Sequence, residues 1–562
     1  MIRRRLAASC LVLTAFAAAP RSAAAGSLPH FTDEAPPRVL AQAIVDAMSD
    51  EEALGQVLMF GYAGEQPDEG ILDWISAWGL GGVKIFGWNA NDLSQLARTV
   101  GAYQAEALAS RFGIPMLVAT DQEGGWVRHI KGASSETAGN MALGASHLPY
   151  DAWMTGLLLG RELAAVGVNM NFAPTIDVFV DPRADVIGPR AFMADPEWTG
   201  ILGLAFAKGH GEAGVIATAK HFPGHGDTSE DSHGTLPVVT ADLDTLRGRD
   251  LVPYRTLIAG GLPAVMVGHL AFPAIDGNGT PATLSKAILT DLLRDELGFE
   301  GVAITDDLFM RGARTDGASL PEVCVRAMTA GADILLVSQG PEDHREIHRI
   351  LLQSMESDPA FASRVREAAE RVVAMKAEWL RRPDSVPASP DPDRIAVPAP
   401  GADEFFLGQA SRAVTLVADE RFPVTPEQAG DVLLAGTYND FFLEGLRRYP
   451  EARTWRTPYE PTKAELRNRG RELLRAARGY DTVIVLLPDE EMAILLNELE
   501  PIADKVIVIS VLSPAHLDSL EWTRTALAAY GTGADSFRAV FAALAGDYPP
   551  EGSLPVPLGG NP

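Results

Sequence analysis

Eight short apolar runs, separated by amphipathic stretches, constrain the fold of this chain more than any other feature of its sequence. Each run has four to six residues and is apolar nearly throughout. This pattern is typical of strands in a parallel sheet that helices cover on both faces. Eight strand–helix units before any break predict an α/β fold, a (β/α)8 TIM-like barrel, with a doubly wound open sheet as the competing architecture. The runs lie at residues 55–60, 82–86, 115–119, 168–172, 215–219, 264–267, 302–305 and 334–337.

A proline-rich segment ends this alternation. Residues 381–401 contain six prolines, and proline disfavours both helix and sheet, so we expect a semi-rigid linker. Strand-like and helical patterns then resume, at residues 432–435, 482–487, 506–511 and 535–544. We therefore predict a barrel over residues 26–380, the linker over residues 381–401, and a smaller α/β domain over residues 402–562.

The first 25 residues have the pattern of a secretory signal peptide. A basic start, Arg3 to Arg5, precedes an alanine-rich apolar run, and three alanines precede Gly26. We expect residues 1–25 to be removed and the protein to be exported to the periplasm or the medium, with an uncleaved anchor as the alternative. Cys324 would then be the one remaining cysteine, which excludes an internal disulfide. No later stretch is apolar enough to predict a membrane span.

Composition narrows the classes of partner. The 47 basic and 74 acidic residues give a net charge of −27, which repels phosphate backbones and anionic membranes. We therefore expect no nucleic-acid partner. With 47% apolar and 22% charged residues, the chain is not disordered throughout.

Polar residues gather after the predicted strands, at the end of a barrel where catalysis takes place. Asp306 directly follows the seventh apolar run. A partly desolvated carboxylate at that position suits a nucleophile that attacks the anomeric carbon of a sugar. A helix N-cap is the alternative role, which Asp307 could fill instead. The other polar residues of these loops include Asp121, Asp177, Arg190, Lys220, His129, His221, His225, Asp231, His233 and His269.

Asp231 and His233 form a second candidate pair. Two residues apart in a loop, the carboxylate can orient the imidazole and raise its pKa, which produces a proton donor that works near neutral pH. A metal ligand or a solvated histidine is the alternative. The sequence lacks both the H-E-x-x-H pattern and a cysteine-bearing zinc pattern, so we expect no metal and no cofactor.

Three charged residues are of the types that bind sugar hydroxyls. Asp121, Arg190 and Lys220 can do so through charge-assisted hydrogen bonds. A buried structural ion pair is the competing interpretation, above all for Arg190 and Asp177. Trp88 and Trp126 lie near strand ends, where they would either stack on a sugar or pack against protein.

Several motifs together resemble one family. Residues 220–226 (KHFPGHG) and 231–233 (DSH) resemble the signature of the β-N-acetylglucosaminidase branch of glycoside hydrolase family 3. The blocks DQEGG, RAF with Asp195-Pro196, TDDL, LAAYG and GSLP are similar to further parts of that family in the same order, at residues 121–125, 190–192, 305–308, 527–531 and 552–555.

The resemblance implies a flavodoxin-like α/β sandwich after the barrel and a retaining, two-step mechanism. It implies that Asp306 is the nucleophile and that His233, supported by Asp231, is the acid/base. It also implies that Asp121, Arg190, Lys220 and His221 bind the sugar; these positions match the family's motifs residue by residue. Related β-glucosidases take the proton donor from a carboxylate elsewhere, so the DSH loop discriminates between the branches.

The chain departs from the family motif at one pair of predicted sugar contacts. The family continues DQEGG-x-V-x-R, whereas this chain has Arg128 one position early and His129 where the arginine belongs. Either Arg128 reaches in through a local shift or that sugar contact is altered. Both residues are therefore candidate substrate-binding residues.

The resemblance implies an exo-acting β-N-acetylglucosaminidase that acts on cell-wall fragments or chitin-type oligosaccharides, with a carbohydrate as the partner. Four alternatives stay open at this stage. They are a β-glucosidase or β-xylosidase of the same family, an N-acetylglucosaminide phosphorylase, a non-catalytic exported carbohydrate-binding protein, and a metal-dependent barrel hydrolase.

Overall fold

A computed structural model describes residues 28–182, 186–228, 234–314, 317–338, 340–457 and 462–559. In the first part of the chain, eight strands form one parallel sheet in the order β10-β1-β2-β3-β6-β7-β8-β9, and a parallel bridge between Ile304 and Ile334 joins its two edges. The predicted barrel is thereby confirmed. Two further strands, β4 and β5, form a separate two-stranded sheet. The strands of this part are β1 Leu58–Gly61, β2 Gly82–Lys84, β3 Leu117–Thr120, β4 Gln122–Gly124, β5 Val127–Arg128, β6 Met170–Asn171, β7 Ile216–Phe222, β8 Ala264–Val267, β9 Val302–Thr305 and β10 Leu335–Val337.

Helices surround this sheet. A π-helix, Ala287–Glu296, and short 3-10 turns at Gly87–Asn89, Gly188–Arg190, Ala282–Leu284 and Arg311–Ala313 complete the layer. The α-helices are α1 Pro37–Ala47, α2 Asp50–Gln56, α3 Glu69–Trp78, α4 Leu93–Ala109, α5 Asn140–Ser146, α6 Pro149–Ala165, α7 Pro196–Glu212, α8 Leu243–Gly248, α9 Leu251–Ala259, α10 Leu320–Ala330, α11 Pro341–Ser357 and α12 Pro359–Trp379.

Alternate strand residues supply two separate apolar layers. Val302 and Ile304 belong to the cluster that fills the barrel, whereas Ala303 between them packs with the outer cluster of the helices. Val372 and Met375 of α12 join the inner cluster, so this helix covers one end of the barrel. Burial of each large apolar side chain stabilises such a core by about 1.5–3 kcal/mol.

Most predicted strand boundaries differ from the observed ones by one to three residues, and the two largest differences have a clear cause. The run at residues 55–60 begins inside α2, because Ser49 and Glu52 form a capping box that starts a helix and carries it to Gln56. The run at residues 215–219 ends too early, since β7 continues through Lys220 and His221 to Phe222. Lys220 pairs there with Thr175, and its backbone N–H donates to the Pro174 carbonyl over 3.1 Å. Lys220 and His221 therefore lie in a strand and not on the loop that follows.

The second part of the chain is an α/β sandwich. Its sheet has the order β11-β16-β15-β14-β12-β13, parallel except for β11. Val483 and Val485 pack on one face and Ile484 and Leu486 on the other, in two different apolar clusters, so helices cover both faces. Its elements are α13 Ala402–Ala413, β11 Thr415–Asp419, α14 Pro426–Ala429, β12 Val432–Gly436, α15 Asn439–Arg448, β13 Arg453–Arg456, α16 Lys463–Ala477, β14 Thr482–Leu487, α17 Glu490–Leu496, β15 Val506–Val511, β16 Thr525–Tyr530 and α18 Ala534–Leu544, with 3-10 turns at Asn497–Lys505 and Pro514–Ser519.

The two parts are in direct contact. Residues 380–401 contain neither helix nor strand and connect α12 to α13. Arg412 of α13 donates two hydrogen bonds, of 2.8 and 3.0 Å, to the buried carboxylate of Asp151 in α6. The domain boundaries drawn from the sequence stay predictions, and residues 1–25 lie outside the described ranges. Within those ranges no helix is long and apolar enough to cross a membrane.

Candidate active site

Side chains from four strands meet at one end of the barrel. Lys84 is the last residue of β2, Asp121 follows β3, Lys220 lies near the end of β7, and Asp306 follows β9. Because the strands are parallel, their carboxyl ends form one rim, and ion pairs between residues far apart in sequence connect its members. This rim is the candidate active site.

A chain of ion pairs runs along the rim. Lys220 Nζ lies 2.5 Å from Asp121 Oδ1 and 2.6 Å from Glu123 Oε1. Arg190 donates to both oxygens of Glu123, from Nε over 2.9 Å and from the terminal nitrogen over 2.8 Å. Each charge in this network therefore has an opposite charge in contact, which offsets the cost of burying it.

Glu123 is the buried centre of this network. Its side chain is 1% exposed and also accepts a 3.0 Å hydrogen bond from Thr175. Burial alone would raise the pKa of this carboxyl, but Arg190 and Lys220 outweigh burial and hold the pKa well below its ordinary value. Glu123 is therefore ionised and fixes the positions of the two cations.

His221 is held in one orientation from both sides. Its Nδ1 lies 2.7 Å from Oδ2 of the buried Asp177, and the Arg190 guanidinium lies 3.2 Å from its Nε2. Arginine only donates, so Nε2 accepts and Nδ1 carries the proton that is donated to Asp177. The backbone N–H of His225 donates to the same aspartate over 2.7 Å. Asp177 thus fixes the tautomer and direction of His221.

Asp306 lies at the mouth of the barrel with its backbone anchored. Its N–H donates to the Val267 carbonyl over 3.0 Å, and its Oδ1 accepts from the next backbone N–H over 2.8 Å. Burial alone would raise the pKa of Asp306, but the imidazoles of His269 and His221 in their protonated form, the backbone N–H of Asp307 and the ammonium of Lys220 outweigh burial and lower it to about 2. The group is therefore an ionised carboxylate near neutral pH.

His269 supports this segment from the neighbouring strand end. Its Nε2 lies 2.9 Å from the Asp307 carbonyl oxygen, to which it donates, and its Nδ1 lies 2.9 Å from the Thr283 hydroxyl. Burial lowers the pKa of His269, which favours the neutral ring, and a neutral ring that donates from Nε2 can accept from the Thr283 hydroxyl at Nδ1. His269 therefore anchors the backbone directly after Asp306.

Arg128 and His129, where the chain departs from the family motif, point in different directions. Gly124 and Gly125 have φ values of 91° and 60°, and this glycine turn connects the antiparallel strands β4 and β5. The hairpin directs Arg128 to Glu136, over 3.0 Å, and Arg128 makes no ion pair with Asp121, although both residues are described. His129 Nδ1 lies 3.9 Å from Asp121 Oδ2. Of the two, His129 lies beside the predicted sugar-binding carboxylate.

Three candidate residues are not among those that the described structure brings together at the rim. Asp231 and His233 lie outside the described residues, so their roles stay predictions. Arg128 lies near the second part of the chain, because its partner Glu136 packs closely against Gly533. The predicted sugar-binding roles of Asp121, Arg190, Lys220 and His221 also stay predictions, although the structure brings these residues together.

Sequence reasoning missed two members of the site. Lys84 forms a close ion pair with Asp121, and Glu123 holds Lys220 and Arg190. A lysine at the end of an otherwise apolar run was the available signal for Lys84. Glu123 stood inside the DQEGG block, but nothing in its spacing showed that two cations from later strands would reach it.

The second part of the chain contributes to the wall beside Arg190. A narrow cleft there is lined on one side by the loops after β3 and β6, and on the other by the ends of β15 and β16. Leu512 and Tyr530 supply this second wall.

Two tryptophans stand near the rim, Trp88 with 54% and Trp126 with 48% of its surface exposed. Trp88 stacks on Phe86 at 4.4 Å and donates from Nε1 to the Tyr62 carbonyl over 3.1 Å.

Across the part of the chain that the structure describes, no group of three or more His, Cys, Asp or Glu side chains could hold a metal ion. The chemistry of the described rim is that of an ionised carboxylate beside a preorganised set of hydrogen-bonding charges.

Comparisons with known proteins agree on one family. The family model described as "Glycosyl hydrolase family 3 N terminal domain" matches residues 49–375. "Beta-hexosaminidase A" of Pseudoalteromonas piscicida is 34% identical over 327 residues, which cover 54% of this chain and 54% of that protein. The chain thus spans about half the length of this relative. A "Beta-hexosaminidase" of Thiobacillus denitrificans is 37% identical over 269 residues, 47% of this chain and 72% of that protein.

A solved structure matches both parts of the chain. It is described as a glycoside hydrolase family 3 β-N-acetylglucosaminidase from Paenibacillus sp. and has a TM-score of 0.81 at 29% sequence identity. The superposition covers 91% of this chain and 99% of that chain. Because both chains are covered almost completely, the similarity includes the barrel and the second sheet.

Proposed function

Because the chain belongs to glycosyl hydrolase family 3, we propose that it is an exo-acting, retaining β-N-acetylglucosaminidase. It would remove terminal β-linked N-acetylglucosamine through a covalent glycosyl–Asp306 intermediate. The β-hexosaminidase relatives and the β-N-acetylglucosaminidase structure described above support this activity. The DSH motif at residues 231–233 supports this branch of the family over the β-glucosidases.

The observation that carries the mechanism is the state of Asp306. Its pKa of about 2 leaves it ionised at neutral pH, and its position directly after β9 places it at the mouth of the barrel. In the first step a carboxylate oxygen forms a bond to the anomeric carbon as the glycosidic bond breaks. The electron pair of that bond passes to the leaving oxygen, which requires a proton donor.

His233, oriented by Asp231, would supply that proton. The imidazole is then neutral and takes a proton from water, whose oxygen attacks the anomeric carbon and releases Asp306. Both steps invert the anomeric carbon, so the product retains the β configuration. A neutral imidazole repels anions less than a carboxylate, which makes phosphate an alternative acceptor and phosphorolysis the second outcome to test.

The ionic network would bind the sugar. We assign Asp121, Lys220, Arg190 and His221 to its hydroxyl groups, because charge-assisted hydrogen bonds are strong and directional. Glu123 fixes Arg190 and Lys220, and Asp177 fixes His221, so these three residues need little reorganisation when the sugar enters. Cell-wall fragments or chitin-type oligosaccharides would be the substrates, and the pattern of residues 1–25 supports export.

The test compares 4-nitrophenyl β-N-acetylglucosaminide with the corresponding β-glucoside. We expect the wild type to prefer the acetamido sugar and Asp306→Asn to lose at least about 1,000-fold in kcat, since the covalent step is lost. Asp307→Asn is the matched control, because its Oδ1 can still accept from the Phe309 and Ser338 N–H groups. A 5-fluoro N-acetylglucosaminyl fluoride should label Asp306, read by mass spectrometry.

Each other outcome favours a different function. Preference for the glucoside would indicate the β-glucosidase branch, and acceleration by phosphate with release of a sugar phosphate would indicate a phosphorylase. Failure to turn over either substrate would favour a non-catalytic carbohydrate-binding protein. Label on a residue other than Asp306 would refute the assignment of the nucleophile.

A further inference from the structure

Lys84 is a buried cation in a position that the proposed mechanism does not use. It ends β2, its side chain is 4% exposed, and its ammonium forms a close ion pair with Asp121 Oδ2. Two aromatic rings surround it, with centroids 5.0 Å away for Phe86 and 4.5 Å away for Phe172. Burial of a lysine is costly unless it is paired, so its contact with Asp121 explains why the structure tolerates it.

The residues on the neighbouring hairpin do not supply this charge. Arg128 pairs with Glu136 over 3.0 Å. Burial and the nearby Lys84 lower the pKa of His129 to about 3, so the ring beside Asp121 is neutral near pH 7. Among the described residues, the cations in contact with Asp121 are therefore Lys84 and Lys220.

Lys220 alone cannot hold Asp121 in place. Its ammonium also lies 2.6 Å from Glu123, so it is shared between two carboxylates. Lys220 contacts Oδ1 of Asp121 and Lys84 contacts Oδ2, so each oxygen has its own cation. Two contacts on different oxygens fix the rotation of the carboxylate, which a single contact leaves free.

We propose that Lys84 is a positioning residue for sugar binding, because it holds Asp121 from β2 with a positive charge. In the family motif the positive charge belongs to an arginine at position 129 instead. The inference rests on the proposed function, because it takes Asp121 as a sugar-binding group. The substrate hydroxyl would meet a carboxylate whose direction is set by two lysines from different strands, β2 and β7. Lys84 itself need not touch the sugar.

The arrangement has a consequence for pH. Burial and the ammonium of Lys220 lower the pKa of Lys84 to about 7. The opposing groups that face it come from several elements: Asp121 after β3, Glu123 in β4, and Asp306 and Asp307 after β9. As the pH rises through this value Lys84 loses its charge, Asp121 loses one anchor, and KM should rise.

The test moves the charge back to the hairpin. Lys84→Met keeps the length and apolar stem of the side chain, and we expect its KM to rise about 30-fold, equal to about 2 kcal/mol, with kcat within about 3-fold. Adding His129→Arg should bring KM back to within about 5-fold of wild type, because the new guanidinium can reach Asp121. A merely structural role of Lys84 would not be rescued from position 129.

Wild-type measurements guard against a variant that fails to fold. Because the pKa of Lys84 is about 7, the wild-type KM is expected to rise above about pH 7. In Lys84→Met this rise should be absent. A Lys84→Met variant with KM within twofold of wild type, a double variant no better than the single one, or a flat wild-type profile would each overturn the inference.

Failure of the proposed function has a separate signature. If wild type turns over no N-acetylglucosaminide, the proposed function fails, and calorimetric binding of N-acetylglucosamine to wild type and Lys84→Met then decides the role of Lys84. Weaker binding by the variant supports it. Equal binding, or no binding to either protein, overturns it.

Discussion

Replacement of Glu123 by glutamine tests whether the buried ionic network organises the site. The carboxylate receives 2.8 and 2.9 Å hydrogen bonds from Arg190 and lies 2.6 Å from Lys220. A glutamine side chain has the same shape but one acceptor oxygen, and its NH₂ group would face a cation. The substitution therefore leaves at least one buried positive charge without its partner.

The expected cost follows from burial. Removal of one partner of a buried ion pair destabilises a protein by about 3–5 kcal/mol, so the free energy of unfolding of Glu123→Gln should fall by that amount. The folded pKa of Glu123 lies well below its unfolded value of about 4.3. The ionised group therefore stabilises the fold fully above that pH, and the difference from wild type should shrink as the pH falls below it.

A surface pair provides the matched control. Arg247 binds Glu296 with the same two-bond geometry, at 2.9 and 2.7 Å, but the Glu296 side chain is 35% exposed. Glu296→Gln should cost less than about 1 kcal/mol, because water screens an exposed pair. Urea unfolding gives both free energies, and kcat/KM on the nitrophenyl substrate should fall about 100-fold or more for Glu123→Gln alone. Equal effects of the two substitutions, on stability or on activity, would refute the reasoning.

Three further outcomes are expected. Burial lowers the pKa of Lys376 to about 7, so the unfolded state binds more protons between about pH 7 and 10, and Lys376 makes the free energy of unfolding rise with pH by up to about 1.4 kcal/mol per unit. Urea titrations across this range should show a smaller rise in Lys376→Met than in wild type, and the part of the rise that comes from the lowered pKa of Lys84 should stay. Trp88→Ala should raise KM for an N-acetylglucosamine disaccharide about 5-fold without changing inhibition by the free sugar, since a lost stacking contact costs about 1 kcal/mol. EDTA should leave turnover unchanged; a loss that Zn²⁺ restores would instead favour the metal-dependent barrel hydrolase.

The barrel was predictable because its strands are buried on both faces. Such strands must be apolar throughout, and that pattern is visible in the sequence without any knowledge of neighbours. Prediction failed where context decides. Ser49 starts a helix that overrides the apolar run at residues 55–60, and pairing with Thr175 extends β7 beyond its apolar residues. In the second part, β13 has the polar sequence RTWR and exists because it pairs with β12 at the sheet edge.

The site was predictable only in part, for a related reason. Asp306, Asp121 and Lys220 could be assigned because each follows, or ends, an apolar run at the same end of the barrel. Sequence position does not show which charges meet, however. The contact between Glu123 and Arg190 joins residues 67 positions apart, and only the closed barrel brings them together. Arg190 does form a buried ion pair, as its competing interpretation has it, and the partner is Glu123.

The balance of charge at the rim constrains the sugar more than the net charge of the chain does. Lys84, Lys220 and Arg190 are each already in contact with a carboxylate of the same network. An anionic group on the terminal sugar would have to displace one of these buried partners, at a cost of several kcal/mol. An uncharged sugar needs no such exchange, because its hydroxyls can both donate to the carboxylates and accept from the cations. Under the proposed function, the described rim therefore favours an uncharged terminal sugar, and any acidic part of the substrate would have to lie beyond it.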